Sequence, residues 1–352
     1  MRFVTTPEQV LIPFSANNPG RIVIGARSSW IVGIILSLEL AKTDSASPTT
    51  YQDWLWRAVK AIRLEGGKRV YLNVGSPDAR IFYWANRLRL QGRNRVPDMQ
   101  AGSQTFVHEI PFLFTPNPIK ADDHKDSYST LAGIEPDTDL TLTVTWGDTT
   151  ALGTNRTVAA GTLLRATYLE AIPQSPAEQP RYYPQWASTT YNPPQSYVNQ
   201  GGTIVMDAGL WHRRSHVMIL KGANPSDVRT DGRASDAVSE VAIKASDGRS
   251  PHIWKTWDFA ANSQGQHNVA DDNTGVPGAA AAYGTATTAA SYNPGVGSID
   301  WVAGGDPAMV DGVWGVDMRS ARENALRIGL TVDNPSNVTV VALHESYQMY
   351  PT

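Results

Sequence analysis

The feature that most constrains this chain is an ordered internal duplication. Ser76-Pro77 and Ser250-Pro251 each open a helical signal, 174 residues apart, and Gln91-Gly92 and Gln264-Gly265 close them, 173 apart. Upstream lie Ala61-Ile62-Arg63 and Ala242-Ile243-Lys244. Downstream, an alternating strand at 140–146 parallels another at 326–332. Each half then closes on a strand running to a proline, Leu164 to Pro173 and Val341 to Pro351. Five weak matches in one shared order imply two copies of one domain, not a solenoid of short units.

Within each copy the patterning is that of strands. Leu140, Leu142, Val144 and Trp146 alternate with Thr141, Thr143 and Thr145, a period of two with one apolar face. The same period recurs at Leu326, Ile328, Leu330 and Val332, and along Val341–Met349. Twenty-nine glycines and 23 prolines separate these short apolar segments, as turns separate strands. Helices are expected only at 77–90 and 251–262, with Ser76 and Ser250 as N-caps and Pro77 at the first helical position. Ile81, Trp84, Ala85 and Leu88 would form the buried face of the first.

The fold class expected is all-β: two tandem eight-stranded jelly-roll β-sandwiches, each with a short inserted helix. An immunoglobulin sandwich is shorter and lacks that helix. The boundaries read as 1–173 for the first jelly roll and 201–352 for the second, with a low-complexity loop near 276–297. Between them, 174–200 is a Pro/Tyr-rich linker. Its prolines argue against helix and central strand, and its aromatics against a free tether. A strap over the surface of both barrels is therefore expected, with Tyr182, Tyr183 and Trp186 packed down or meeting a neighbouring subunit.

Charge and motifs exclude much chemistry. Thirty Lys and Arg against 33 Asp and Glu give a formal charge of −3, which disfavours a basic nucleic-acid binder. With no cysteine there is no disulfide, thiolate metal site or cysteine nucleophile. The apolar run Trp30–Leu40 is too short for a membrane-spanning helix. The start MRFVTTPEQ lacks the pattern of a signal peptide, so the sequons at Asn155 and Asn337 read as chance. No Gly-x-Ser-x-Gly elbow, Walker loop or dinucleotide fingerprint occurs, and no enzyme activity, cofactor or metal is expected.

The remaining candidates read as structural. His212 and His216 are four apart but sit in a strand-like segment, with no acidic ligand beside them in sequence. Asp122, Asp123, His124 and Asp126 lack EF-hand spacing and read as a solvated loop, and Asp271-Asp272 as a turn. Glu39, Glu170 and Glu345 read as surface positions on half-exposed strands. Most of the 11 tryptophans fall on apolar phases and read as core, Trp186 excepted. Arg87, Arg89, Arg93 and Arg95 form the densest basic stretch, read first as a solvated face and second as an assembly or inter-barrel contact, meeting phosphates of lipid or genome or an acidic neighbour.

Several segments carry a family resemblance: GIILSLEL, YQDWLWRAVKAIRLEGGKRVYLNV with the helix SPDARIFYWANRL, HEIPFLF, SYSTLAGI, TDLTLTVTWG, LLRATYLEAIP, and VWGVDMRSARENALRIGLTVDNPSNVTVVALHESYQMY. In order and spacing the chain resembles the double jelly-roll major capsid proteins of tailless icosahedral viruses, the lineage joining membrane-containing bacteriophages to adenovirus hexon. The linker is richer in proline and aromatics than that pattern, and 276–297 has no counterpart in it. The resemblance implies a structural protein that forms homotrimers, pseudo-hexameric capsomers tiling an icosahedral virion shell. Its partners would be other copies of itself, vertex or penton proteins and the lipid of an internal membrane, with no sequence-specific nucleic acid. Its place would be the virion, and the host cytoplasm during assembly. The competing reading is a carbohydrate-binding or carbohydrate-cleaving tandem β-sandwich, lectin-like or part of a viral spike, motivated by the tryptophans.

Overall fold

The computed structural model describes residues 2–46, 48, 53–75, 79–90, 101–114, 132–194, 200–207, 209–221, 232–233, 237–245, 250, 252–256, 259–260, 263, 295–301, 316–317, 326–332 and 338–351. The acidic stretch 122–126, Asp271-Asp272, Arg93, Arg95 and 276–294 of the low-complexity segment lie outside the described residues.

The first half comprises β1 (Arg2–Pro13), β2 (Pro19–Ile24), β3 (Trp30–Asp44), β4 (Val59–Gly66), β5 (Arg69–Val74), α1 (Arg80–Arg89), β6 (Gln104–Leu113), β7 (Leu140–Trp146), β8 (Arg156–Val158) and β9 (Leu163–Ile172). β10 (Tyr182–Pro184) and β11 (Trp186–Tyr191) follow. The second half comprises β12 (Gln200–Val205), β13 (Trp211–Lys221), β14 (Gly232–Arg233), β15 (Val238–Ala245), β16 (His252–Lys255), β17 (Val296–Asp300), β18 (Val316–Asp317), β19 (Leu326–Val332) and β20 (Val338–Met349).

The pairing makes the duplication explicit. In the first half one sheet runs β1-β9-β3-β6 and the other β2-β7-β4-β5. In the second half β11-β20 and β20-β13 pair, with β17 on β13, and the facing sheet runs β12-β19-β15-β16. Position by position the four-stranded orders are the same; the short strands differ, β8 extending the β9 side at the end of β3 and β18 pairing with the start of β13. Each half is a jelly roll, two antiparallel four-stranded sheets with sequentially distant strands as neighbours.

Local chemistry supports these elements. In β7, Leu140, Leu142, Val144 and Trp146 are buried and the threonines half-buried, as the alternation requires. The β4–β5 hairpin turns through Gly67 (φ 55°) and Lys68 (φ 68°), the doubly left-handed geometry that suits strand twist. A buried ion network closes one end of the first barrel. Lys42 Nζ lies 2.8 Å from Asp44 Oδ2 and also donates to the Gly102 carbonyl, while Arg156 Nη1 holds Asp44 at 3.1 Å. Lys42→Met is expected to cost about 1–3 kcal/mol in urea unfolding, because the Gly102 carbonyl loses its charged donor. Arg156 would still neutralise Asp44, which limits the loss.

Three expectations are corrected. Within 174–200, Tyr182–Pro184 and Trp186–Tyr191 are sheet strands and not a surface strap. β11 lies inside an eleven-stranded sheet, antiparallel to β20 and parallel to β5 through Trp186↔Leu72 and Ala187↔Asn73. Proline does not prevent this, because Trp186–Tyr191 contains none and Pro184 sits at the end of β10. The helix expected at 77–90 runs Arg80–Arg89 behind Ala79, which makes no side-chain cap. All ten of its residues are buried, so packing on every side holds it rather than capping. The helix expected at 251–262 begins as strand β16, paired with β15, and helical backbone is found at Thr256, Phe259, Ala260 and Ser263.

The core sits in two parts with a shared wall. Val217, Ile219, Val340 and Ala342 belong to the core of the second barrel. Their alternates Met218, Leu220, Val341 and Leu343 join the first core, with Phe82, Trp84 and Phe112. β13 and β20 are therefore apolar on both faces and form the wall against which the first barrel and α1 pack.

Candidate functional site

That shared wall carries the densest group of buried polar side chains, and every charged group there must be paired to be tolerated. β20 supplies Glu345, whose side chain is 0% exposed. Arg89, at the C-terminal end of α1, reaches it across the seam, with Nε 3.5 Å from Oε1. Arg89 Nη2 donates to the Leu113 carbonyl at 2.9 Å, and its guanidinium lies 4.5 Å from the centre of the Trp186 ring. From β13, Arg214 Nη1 stands 3.9 Å and His216 Nε2 3.8 Å from Glu345 Oε2. Tyr347 donates its hydroxyl to Glu345 Oε1 at 2.9 Å.

The electrostatics follow from this crowd. Burial raises the Glu345 carboxyl, but Arg89, His216 and Arg214 outweigh it and bring the value down to about 2. Burial drives the Tyr347 hydroxyl well above its ordinary value, reinforced by Glu345. Burial lowers His216 to about 4, although Glu345 pulls the other way.

On the opposite face of β13 and β20 lies a second polar group. Trp301 Nε1 donates to Ser215 Oγ at 2.8 Å, and Ser215 Oγ is 2.8 Å from His344 Nδ1. Ser346 Oγ meets His212 Nδ1 at 2.8 Å, and His212 Nε2 donates to the Asp207 carbonyl at 2.6 Å. Burial, with His212 and His216 nearby, lowers His344 to about 3, and burial lowers His212 as well.

The residues singled out in sequence fall around this seam. Trp186 is 1% exposed, packed edge-on against Phe112 of β6 at 4.8 Å. Tyr183 meets Tyr71 and Tyr350, and Arg69 lies between the Tyr183 and Tyr350 rings at 4.8 and 4.9 Å while pairing with Glu135. Tyr182 packs on Trp211 at 5.5 Å. Arg87 donates to the Tyr83 hydroxyl at 3.0 Å and lies over Trp84.

Three readings are corrected here. Arg87 and Arg89 are not a solvated face, because α1 is enclosed on all sides. Glu345 is not at the surface, and it provides the acidic neighbour of His216 that local sequence lacks. Trp186 is turned into the seam and is not available to a neighbouring subunit. Sequence reasoning considered His216 and Glu345 without bringing them together, and it did not single out His344. The signal was present: VTVVALHESYQM is apolar in both phases before its polar residues, which marks a strand covered on both faces. Among the described residues, no group of three or more His, Asp and Glu is disposed to hold a metal ion, and no helix is long and apolar enough to cross a membrane.

No protein-family model matches the sequence. No curated protein matches it either. Solved structures do share its fold over almost the whole chain. The STIV MCP aligns with a TM-score of 0.67 at 14% identity, covering 99% of this chain and 96% of that one. The PBCV-1 virus capsid aligns at 0.57 and 12% identity, over 98% and 94%. The major capsid protein of bacteriophage PM2 aligns at 0.52 and 12% identity, over 98% of each. The fold is thus that of the double jelly-roll capsid proteins.

Proposed function

We propose that the chain is a major capsid protein, a structural subunit of an icosahedral virion. The observation that carries this reading is the pair of topologically identical jelly rolls joined through one continuous sheet and a closed, buried seam. Such a seam turns two barrels into one block, the property a shell-building subunit needs. We infer that the chain divides at 1–173, and that β11 already belongs to the second barrel as the counterpart of β1. The linker then shortens to the stretch before Trp186. Tyr182, Tyr183, Trp186, Arg87 and Arg89 join the barrels within one subunit, and Arg93 extends the same basic stretch.

In this reading three chains associate so that six barrels form a pseudo-hexameric capsomer. Capsomers pack edge to edge, with vertex proteins at the five-fold positions and an internal membrane beneath. Assembly takes place in the host cytoplasm. The carbohydrate reading has less support, because Trp54, Trp56, Trp84, Trp146, Trp186 and Trp301 are buried and Trp30, Trp211 and Trp254 are half-buried. Negative-stain microscopy of the purified chain tests the proposal. Blocks of hexagonal outline, alone or in sheets, are the expected result. Isolated two-lobed particles at every concentration would contradict it.

A further inference from the structure

The wall between the barrels holds three buried histidines, and the hydrogen bonds around one of them have a use for its uncharged form. Trp301 Nε1–H is only a donor, so Ser215 Oγ accepts from it, and an unprotonated His344 Nδ1 gives the Ser215 hydroxyl hydrogen an acceptor. In that arrangement His344 is an acceptor at Nδ1, an uncharged ring with its proton on Nε2, which is buried and has no hydrogen-bond partner among the described residues. Adding a proton at Nδ1 would turn the Ser215 hydroxyl hydrogen away from this acceptor and place a charge in a buried site.

His216 is on the other face, completely buried. The groups facing it are Arg214 on its own strand, Glu345 on β20 and Arg89 on α1. Asp300 of β17 stands opposite Arg214 in register. The groups facing His344 are Ser215, His212 and His216. His212 tolerates charge better, because a carbonyl takes its Nε2–H and Ser346 Oγ can accept from Nδ1–H after rotating.

We propose that the joint between the barrels is an acid-sensitive catch: uncharged His216 and His344 keep β13 and β20 packed between the barrels, and their protonation releases the seam against α1. The sign is fixed by linkage. Both rings bind a proton near 6.5 when exposed, and burial lowers them to about 4 and about 3. Their contribution to stability is complete above 6.5 and is lost as pH falls toward those lower values. Between pH 6 and pH 5 each ring lowers the folding constant by up to about tenfold, so the pair by up to about 100-fold.

The test is urea unfolding at pH 7, 6 and 5 on the full chain and on His216→Gln/His344→Asn, in which Asn Oδ1 takes over as acceptor for Ser215. Hydrogen exchange of 80–89, 211–221 and 338–349 is followed beside that of 140–146. The wild type is expected to lose stability by up to that factor and to expose the seam segments before 140–146. The double variant is expected to lose much less. Equal pH dependence in the two proteins, or seam exchange no faster than in 140–146 at pH 5, would overturn the proposal. If the variant does not fold, imidazole nitrogen resonances of the wild type decide. A neutral His344 with its proton on Nε2 in the folded chain at pH 5 supports it, and a charged ring in an intact seam refutes it.

Discussion

Glu345→Ala is expected to destabilise the chain by about 3–5 kcal/mol, the cost of stripping a buried charge cluster of its anion. Glu345 faces Arg89, Arg214 and His216 and accepts from Tyr347 with no solvent exposure. Removing it leaves Arg89 and Arg214 without this counter-charge between two barrels. Glu345→Gln keeps the shape and the acceptor for Tyr347, so any loss it shows reports the charge. Adding Arg89→Met to Glu345→Gln is expected to recover part of that loss, because one of the cations that faced the carboxylate is then gone. Urea unfolding measures all three. The acid dependence has its own window: Glu345 stabilises fully above 4.5, and this is lost as pH falls toward about 2. That window opens two pH units below the one in which the histidines begin to act and overlaps its acid end.

Trp186→Ala is the second large effect, about 3–5 kcal/mol for deleting a fully buried aromatic ring. The indole sits on β11, where the sheet of one barrel meets that of the other. It packs on Phe112 of the first barrel and offers its face to Arg89. Its loss opens a cavity at the joint and removes the surface that orients Arg89 toward Glu345. The Trp186→Ala and Glu345→Ala effects are therefore expected to be less than additive, since each removes part of one interaction network. Trp186→Phe keeps most of the apolar area and is expected to cost far less.

The duplication and the strand alternation were readable because they depend on local period and order. β7 shows this: each leucine, valine and tryptophan of LTLTVTW is inside. The seam was harder to read because it depends on pairings across long sequence distances. Glu345 and Arg89 are 256 positions apart, and nothing near either one announces the other. The same holds for β11, whose neighbours β5 and β20 come from opposite halves of the chain. Proline density over the whole segment misleads there, because the strand occupies the proline-free stretch Trp186–Tyr191. Arg87 and Arg89 misled for a related reason. A helix with arginines in its last turn reads as solvated until a second barrel is known to cover it.

The central claim is that this two-barrel chain is a shell-building subunit. The most direct measurement is the native mass of the purified protein by light scattering, across a wide concentration range. A mass of three 38.3 kDa chains, persisting on dilution to micromolar concentration, is the predicted result. A single-chain mass at every concentration would contradict the account.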